Sequence, residues 1–472
     1  MRFNFKYLLL LTPLLLFIGC EHTFKNETIF FGGQIKNPKG IEVSIFKGNN
    51  KVAETNLNQD HKFLFKLDSL QAGLYTFKHG EEFQYIYLEP KDSLLIRLNT
   101  WDFDESLVFS GKGAERNNFL LQLFLDNEQQ EKLFYSYFRL NENDFTKKID
   151  SFISLKTNQY KQFKAGSAIQ SKNFNSLINT TIYYPLYSKK EKYVIKNKRL
   201  NKLDALPNLS QNFYDFRNDI DLDSNPFTDY YTFKNYLWNY LYNVAVYKKE
   251  LNNTLQVSTL LLQQIAKKVN NTNLKNEMLQ KTYFGSLLNE SCSKNDREIA
   301  HRIFTENCTD KEGKKEIDKL ITIINSYKKG TSFPEIKIKN TSNTVLTSID
   351  IINSNTVIYS WPKGLNRIQN MAKRIHNLTK KYPNIRFIGI DAHLGNYNWK
   401  AYIKANNLNA NNQFQLVDKT MDNLFYYDIP RAIITDKNGT IMSNFTFLSH
   451  SSFERNLLFL EKNKLNTVLA NK

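Results

Sequence analysis

Thiols offer this chain its most reactive side chains, and its 472 residues hold three, Cys20, Cys292 and Cys308. A thiol attacks as its thiolate, which a helix N-terminus or a nearby cation stabilises, and disulfide exchange needs a second thiol close by. Cys292 and Cys308 are sixteen positions apart, on either side of a helical stretch from Asn295 to Phe304. If that stretch folds back they form a structural disulfide; otherwise they are two free thiols. The spacing by itself supplies neither condition for a working redox pair.

Other chemistry is thinly represented. His376 and His393 have no partner at a ligand spacing such as H-x-x-x-H, so no metal centre is expected. His376 reads as a surface residue of a basic helix. His393, beside Asp391 at the carboxyl end of a strand, stands where open α/β sheets place functional groups, although a solvated loop histidine fits as well. Gly111-Lys112-Gly113 lacks the spacing and the following hydroxyl of a phosphate loop, and reads as a turn into a helix. Neither a G-x-S-x-G nucleophile turn nor a glycine-rich dinucleotide loop is present, and no cofactor is expected.

Cys20 belongs to an address. Basic Arg2 and Lys6 precede an apolar run from Tyr7 to Ile18, then Gly19 and Cys20. The run is short of the ~18 apolar residues of a membrane helix and has the order of a secretory signal. It resembles a bacterial lipoprotein signal, which implies removal of residues 1–19, lipid on Cys20, a tether over 20–27 and a place in the cell envelope on either membrane. The alternative is an uncleaved anchor. The formal charge of +18, from 64 basic and 46 acidic residues, is spread along the chain. Without an arginine-rich block it suits a solvated surface near a membrane, and no nucleic-acid partner is expected.

The elements fall into three regions. From residue 28 to 112, short β-branched and aromatic runs separated by Gly, Asn, Asp and Pro predict seven strands of an antiparallel β sandwich or barrel. Residues 113–330 turn helical: Phe145, Ile149, Phe152 and Ile153 share one helix face, as do Ile317, Leu320, Ile321 and Ile324. The ring-dense stretch Tyr230–Tyr247 predicts a bundle core, and the basic run Leu186–Lys202 an exposed face. Over 334–472 the order is strand (Asn355–Trp361), helix (Leu365–Lys381), strand (Ile385–Asp391), helix (Tyr397–Leu408), then a hairpin and a closing helix. That is the order of a thioredoxin fold, and the whole reads as a multidomain α+β chain.

Several segments carry a closer resemblance. "VIYSW" before the helix, "KKYPNIRFIGID", Trp399 and "YDIPRAIITDKNGTI" resemble the thiol–disulfide-interchange (TlpA-like) branch of the thioredoxin superfamily. "SGKGAERNNFL" resembles the segment closing the small β domain of Bacteroidetes lipoproteins of that kind. The resemblance implies a cis proline, here Pro430, beside the active-site turn, forming with Ile429 and Arg431 a groove for extended peptide; alternatively Pro430 only opens the following strand. It also implies a Cys-x-x-Cys after Trp361, yet those two positions hold Leu365 and Ile368, and no cysteine lies in 334–472. Without a thiolate there is no mixed disulfide. The expectation is a lipid-anchored protein that binds a protein or peptide partner, or assembles, without redox turnover. The enzymatic alternative is an oxidoreductase using Cys292 and Cys308.

Overall fold

Side chains that alternate in and out build the first layers. The computed structural model describes residues 27–68, 70–167, 170–222, 225–251, 254–289, 292–362, 365–392, 398–417, 431–448 and 453–461. Strands β1 (Ile29–Lys36), β2 (Glu42–Lys47), β3 (Asn50–Asn56), β4 (Lys62–Leu67), β5 (Gly73–His79), β6 (Glu82–Leu88) and β7 (Ser93–Asn99) come first. The short helix α1 (Phe103–Ser106) and β8 (Val108–Lys112) follow. They form two four-stranded sheets, ordered β4-β1-β7-β8 and β3-β2-β5-β6, with β1 and β7 parallel. In β4 Phe63, Phe65 and Leu67 point inward, and in β7 Leu94, Ile96 and Leu98 do; both sheets feed one core. The Phe31 ring lies 5.5 Å from Phe63 and 5.6 Å from Phe77 across it. Each ring so buried contributes about 2–3 kcal/mol.

The Gly-Lys-Gly is the turn that the spacing predicts. Gly111 (φ 86°) and Gly113 (φ 97°) adopt left-handed backbone, and a Cβ at Gly111 would stand 2.1 Å from the Ser93 carbonyl oxygen. Helix α2 (Ala114–Tyr137) starts there and is stitched to the strands by its first turn. Asn117 pairs with both backbone groups of Tyr87, accepting from its N–H at 2.7 Å and donating to its carbonyl at 2.8 Å. Asn118 does the same with Phe109 at 3.0 Å each way. Arg116 reaches both oxygens of Asp92 at 2.7 Å and Glu89 at 3.1 Å. The segment's work is therefore structural. Asn117→Ala strands two buried backbone groups and is expected to lower the unfolding free energy by about 2–3 kcal/mol, measurable by urea denaturation.

Helices α3 (Glu142–Gly166), α4 (Lys172–Asn201), α5 (Tyr231–Glu250), α6 (Val257–Lys268), α7 (Thr272–Leu287), α8 (Lys294–Asn307) and α9 (Lys311–Ser326) follow. Asn141, Ser171, Asn271 and Ser293 cap four of them, each accepting from the backbone N–H three residues on. The helices do not make a body of their own between 113 and 330. The chain divides into two compact units: residues through Ile220 with Asn225–Asn239, and Asp221–Ser224 with Tyr240 onward. The physical reason is burial. Leu120, Leu123, Tyr160, Phe174 and Ile178 close on Tyr87 of the strands, whereas Leu288, Ile323 and Ile324 pack on the C-terminal sheet.

One buried charge in the first unit gives a pH signature. Lys156 of α3 has no exposed surface and donates its ammonium to the Asn127 carbonyl oxygen. Burial pulls its pKa down to about 8. A lysine with a depressed folded pKa costs stability while charged in both states, and the cost fades as pH climbs from the folded toward the unfolded value. Between pH 8 and 9.5 the unfolding free energy of the wild type is therefore expected to rise relative to Lys156→Met. The variant itself is expected to be more stable at pH 7 by on the order of 2 kcal/mol. Parallel guanidinium melts of the two proteins check both statements.

The second unit carries β9 (Lys337–Lys339), β10 (Val345–Thr347), α10 (Ser348–Ile351), β11 (Thr356–Ser360), α11 (Leu365–Lys381), β12 (Arg386–Asp391), α12 (Trp399–Ala405), β13 (Gln413–Leu416), β14 (Arg431–Thr435) and β15 (Ile441–Phe447). Residues 453–461 are helical. The strands make one seven-stranded sheet, ordered β10-β9-β13-β12-β11-β14-β15. β11 is parallel to β12 and antiparallel to β14. All five residues of β11 are buried, as a central strand covered on both faces requires. Val357 and Tyr359 face α11, α12 and the last helix; Ile358 faces Phe333, Ile336 and the side chains of α9. No helix among the described residues is long and apolar enough to cross a membrane.

Candidate functional site

The carboxyl end of β11, where the chain enters α11, is the site that the sequence singles out. Leu365 is the first residue of α11, so positions 365 and 368 lie in its first turn, where a thiolate would meet the positive end of the helix dipole. Ile368 holds the second position as hydrocarbon, 5% exposed, packed with Met371, Ala372 and Ile375. The backbone of Leu365 is described, its side chain not.

Trp361 closes the strand. Its backbone N–H donates to the Ile390 carbonyl at 3.1 Å, and its indole N–H donates to Oε1 of Gln413, also at 3.1 Å. Nε2 of Gln413 donates to the Tyr359 hydroxyl at 3.1 Å. The three side chains are buried and satisfy one another, which is what polar groups without water require. Burial pushes the Tyr359 hydroxyl well above the usual phenol range, so it stays protonated. Gly389 of β12 makes room for this cluster: a Cβ there would lie 2.1 Å from Gln413 Oε1 and 2.7 Å from Trp361 Nε1. Nothing in the sequence pattern marked Gln413.

Arg431 opens β14, its N–H donating to Ser360 Oγ at 3.2 Å. Only 6% of the residue is exposed, and its guanidinium lies 4.5 Å from the centre of the Phe447 ring and 5.6 Å from that of Phe284 in α7. Of the groove expected from Ile429, Pro430 and Arg431, only Arg431 is among the described residues, and its guanidinium lies against two rings of the same unit. Ile429, Pro430 and His393 lie outside the described residues. His376 Nε2 lies 3.0 Å from the Asn407 carbonyl, a bridge between helix and loop. No group of three metal-ligating side chains occurs among the described residues.

Of the two alternatives for Cys292 and Cys308, the structure has the free thiols, and both are buried. The reason is the 14-residue helix α8 between them. A rod of that length spans about 21 Å, and the Cα atoms of a disulfide come within about 7 Å. Cys292 directs its thiol to the Ser286 carbonyl, 3.9 Å away, and burial with the Asp296 carboxylate pushes it up to about 11. Cys308 ends α8 rather than beginning a helix. Cys20 lies outside the described residues.

A central strand, a crossover helix to a parallel neighbour and an antiparallel hairpin on the other flank define a thioredoxin-like α/β domain. No family model and no curated protein matches the sequence. Several solved structures are similar in part. A thioredoxin-like protein from Bacteroides caccae covers 54% of this chain and 98% of its own, at 11% identity and a TM-score of 0.35. A thiol:disulfide interchange protein from a Bacteroides species covers 25% and 81%, at 19% identity and a TM-score of 0.22. The thioredoxin domain of a thiol-disulfide oxidoreductase from Bacteroides vulgatus covers 28% and 98%, at 14% identity and a TM-score of 0.24.

Proposed function

We propose that this is a lipid-anchored protein of the cell envelope whose thioredoxin-like domain serves as a non-redox module, for protein binding or assembly. The observation that carries the reading is the absence of sulfur where the fold would use it. No cysteine occurs from residue 334 onward, Ile368 is built into the core, and Cys292 and Cys308 are buried, unbonded and held at opposite ends of α8. The membrane tether rests on the order of Arg2, Lys6, the apolar run and Gly19-Cys20. Partner contact then uses backbone pairing and apolar surface in place of a covalent intermediate.

The decisive measurement is dithiol exchange. The purified protein is expected to reduce insulin no faster than buffered dithiothreitol alone, and Cys292→Ser is expected to change nothing. Cysteine-dependent turnover would overturn the reading in favour of an oxidoreductase. Lipidation is tested apart from it: intact-mass analysis of membrane-extracted protein is expected to show acyl chains on the wild type and none on Cys20→Ala.

A further inference from the structure

The first unit contains a cavity of about 850 Å³ that the reading above does not use. Its long wall is one face of α2, along which Phe124, Asn127, Glu128, Glu131 and Phe134 succeed one another at helical spacing. The ends of this wall carry opposite charge. At the Glu128 end stand Glu82, Asp104 and Glu105; burial and then these carboxylates together push Asp104 above the usual carboxylate range, against a hydrogen bond from Gln84 at 2.7 Å. At the Phe134 end stand Lys189 and Lys192 of α4. Lys189 lies 5.0 Å over the Phe134 ring, paired with Glu131. Burial and neighbouring lysines depress both ammonium groups, Lys189 to about 7.

Each end thus gathers like charges that an opposite charge relieves, as Glu131 already does for Lys189. Glu128 and Phe134 are six residues apart on α2, about 9 Å along its axis. The rest of the lining is mixed: Phe83, Tyr85 and Tyr231 contribute rings, with Tyr85 and Tyr231 stacked at 5.7 Å between centroids, and Asn127, Gln130 and Asn235 contribute amides. Glu131, with 63% of its side chain exposed, is a counter-ion that an incoming carboxylate can replace.

We infer that this cavity binds a small zwitterion, a short peptide or amino-acid derivative. Its ammonium faces Asp104 and Glu128, its carboxylate faces Lys189 and Lys192, and an apolar middle lies against the rings. Neither a simple amine nor a simple carboxylate satisfies both ends. The inference is independent of the thioredoxin-like domain.

The test uses 6-aminohexanoate, with hexylamine and hexanoate as one-ended controls, titrated calorimetrically into the purified full chain. The expected result is saturable binding of 6-aminohexanoate, at least tenfold tighter than either control. Glu128→Gln and Lys192→Gln are each expected to lower its affinity at least tenfold, with circular dichroism and melting temperature reporting that the fold is intact. Equal affinity for a one-ended control overturns the inference, as does insensitivity to both substitutions or no binding by any of the three probes.

Discussion

Replacing Leu365 and Ile368 together by cysteine is expected to give the protein the dithiol chemistry it lacks. The two positions have Cys-x-x-Cys spacing in the first turn of α11. Residues three apart on a helix bring their Cβ atoms to about 5–6 Å, close enough to bridge after a small adjustment. The first sulfur would sit at the helix N-terminus, where its thiolate is favoured, and the second in the pocket that Ile368 now fills. Truncating Ile368 costs about 1–2 kcal/mol, which a domain with this core tolerates. Alkylation and mass spectrometry should show one intramolecular disulfide after mild oxidation, with a potential between about −270 and −120 mV. Insulin reduction should rise at least tenfold over the wild type. Should the two thiols stay reduced under oxidant while the domain remains folded, the placement of this turn as a thioredoxin-like site fails.

The second large effect concerns Gly389. Alanine there drives a methyl into Gln413, Trp361 and the Tyr359 ring at 2.1, 2.7 and 2.8 Å. Gln413 can swing away, but only by leaving the Tyr359 hydroxyl and the Trp361 indole N–H unpaired in a dry core. Overpacking and two orphaned polar groups together cost about 4 kcal/mol. The variant should lose that much in urea denaturation, accompanied by a change in tryptophan fluorescence. Adding Gln413→Ala should restore part of the loss by removing the clash. A Gly389→Ala protein as stable as the wild type would falsify the buried arrangement around Trp361.

Much of the architecture was legible because it is periodic. The alternation in β4 and β7 and the apolar face Ile368, Ala372 and Ile375 of α11 both identify their elements from sequence alone. The turn at Gly111-Lys112-Gly113 was legible for a related reason, since glycine pairs around a lysine commonly punctuate. What stayed hidden depends on partners distant in sequence. Asn117 reads as an ordinary helix polar residue until Tyr87 is beside it, and Gln413 is silent until β13 lies next to β12. The helical region reads as one block because composition does not say which sheet a helix will cover. The two cysteines illustrate the limit most sharply: their spacing allowed a bridge, and the straight helix between them forbids it. The two-ended charge of the cavity was equally invisible, for its acids and lysines come from different elements.

The contacts that α7 and α9 make with the sheet bear on how this protein can be cut. A fragment beginning at residue 334, the natural choice from sequence, would lack Phe284 over Arg431 and the cover that Leu288, Ile323 and Ile324 give to Ile338, Ile358 and Ile388. Such a piece would present a greasy, uncapped flank to solvent and self-associate. Excision upstream of α6 keeps that flank dressed and is the better starting point for dissecting the chain.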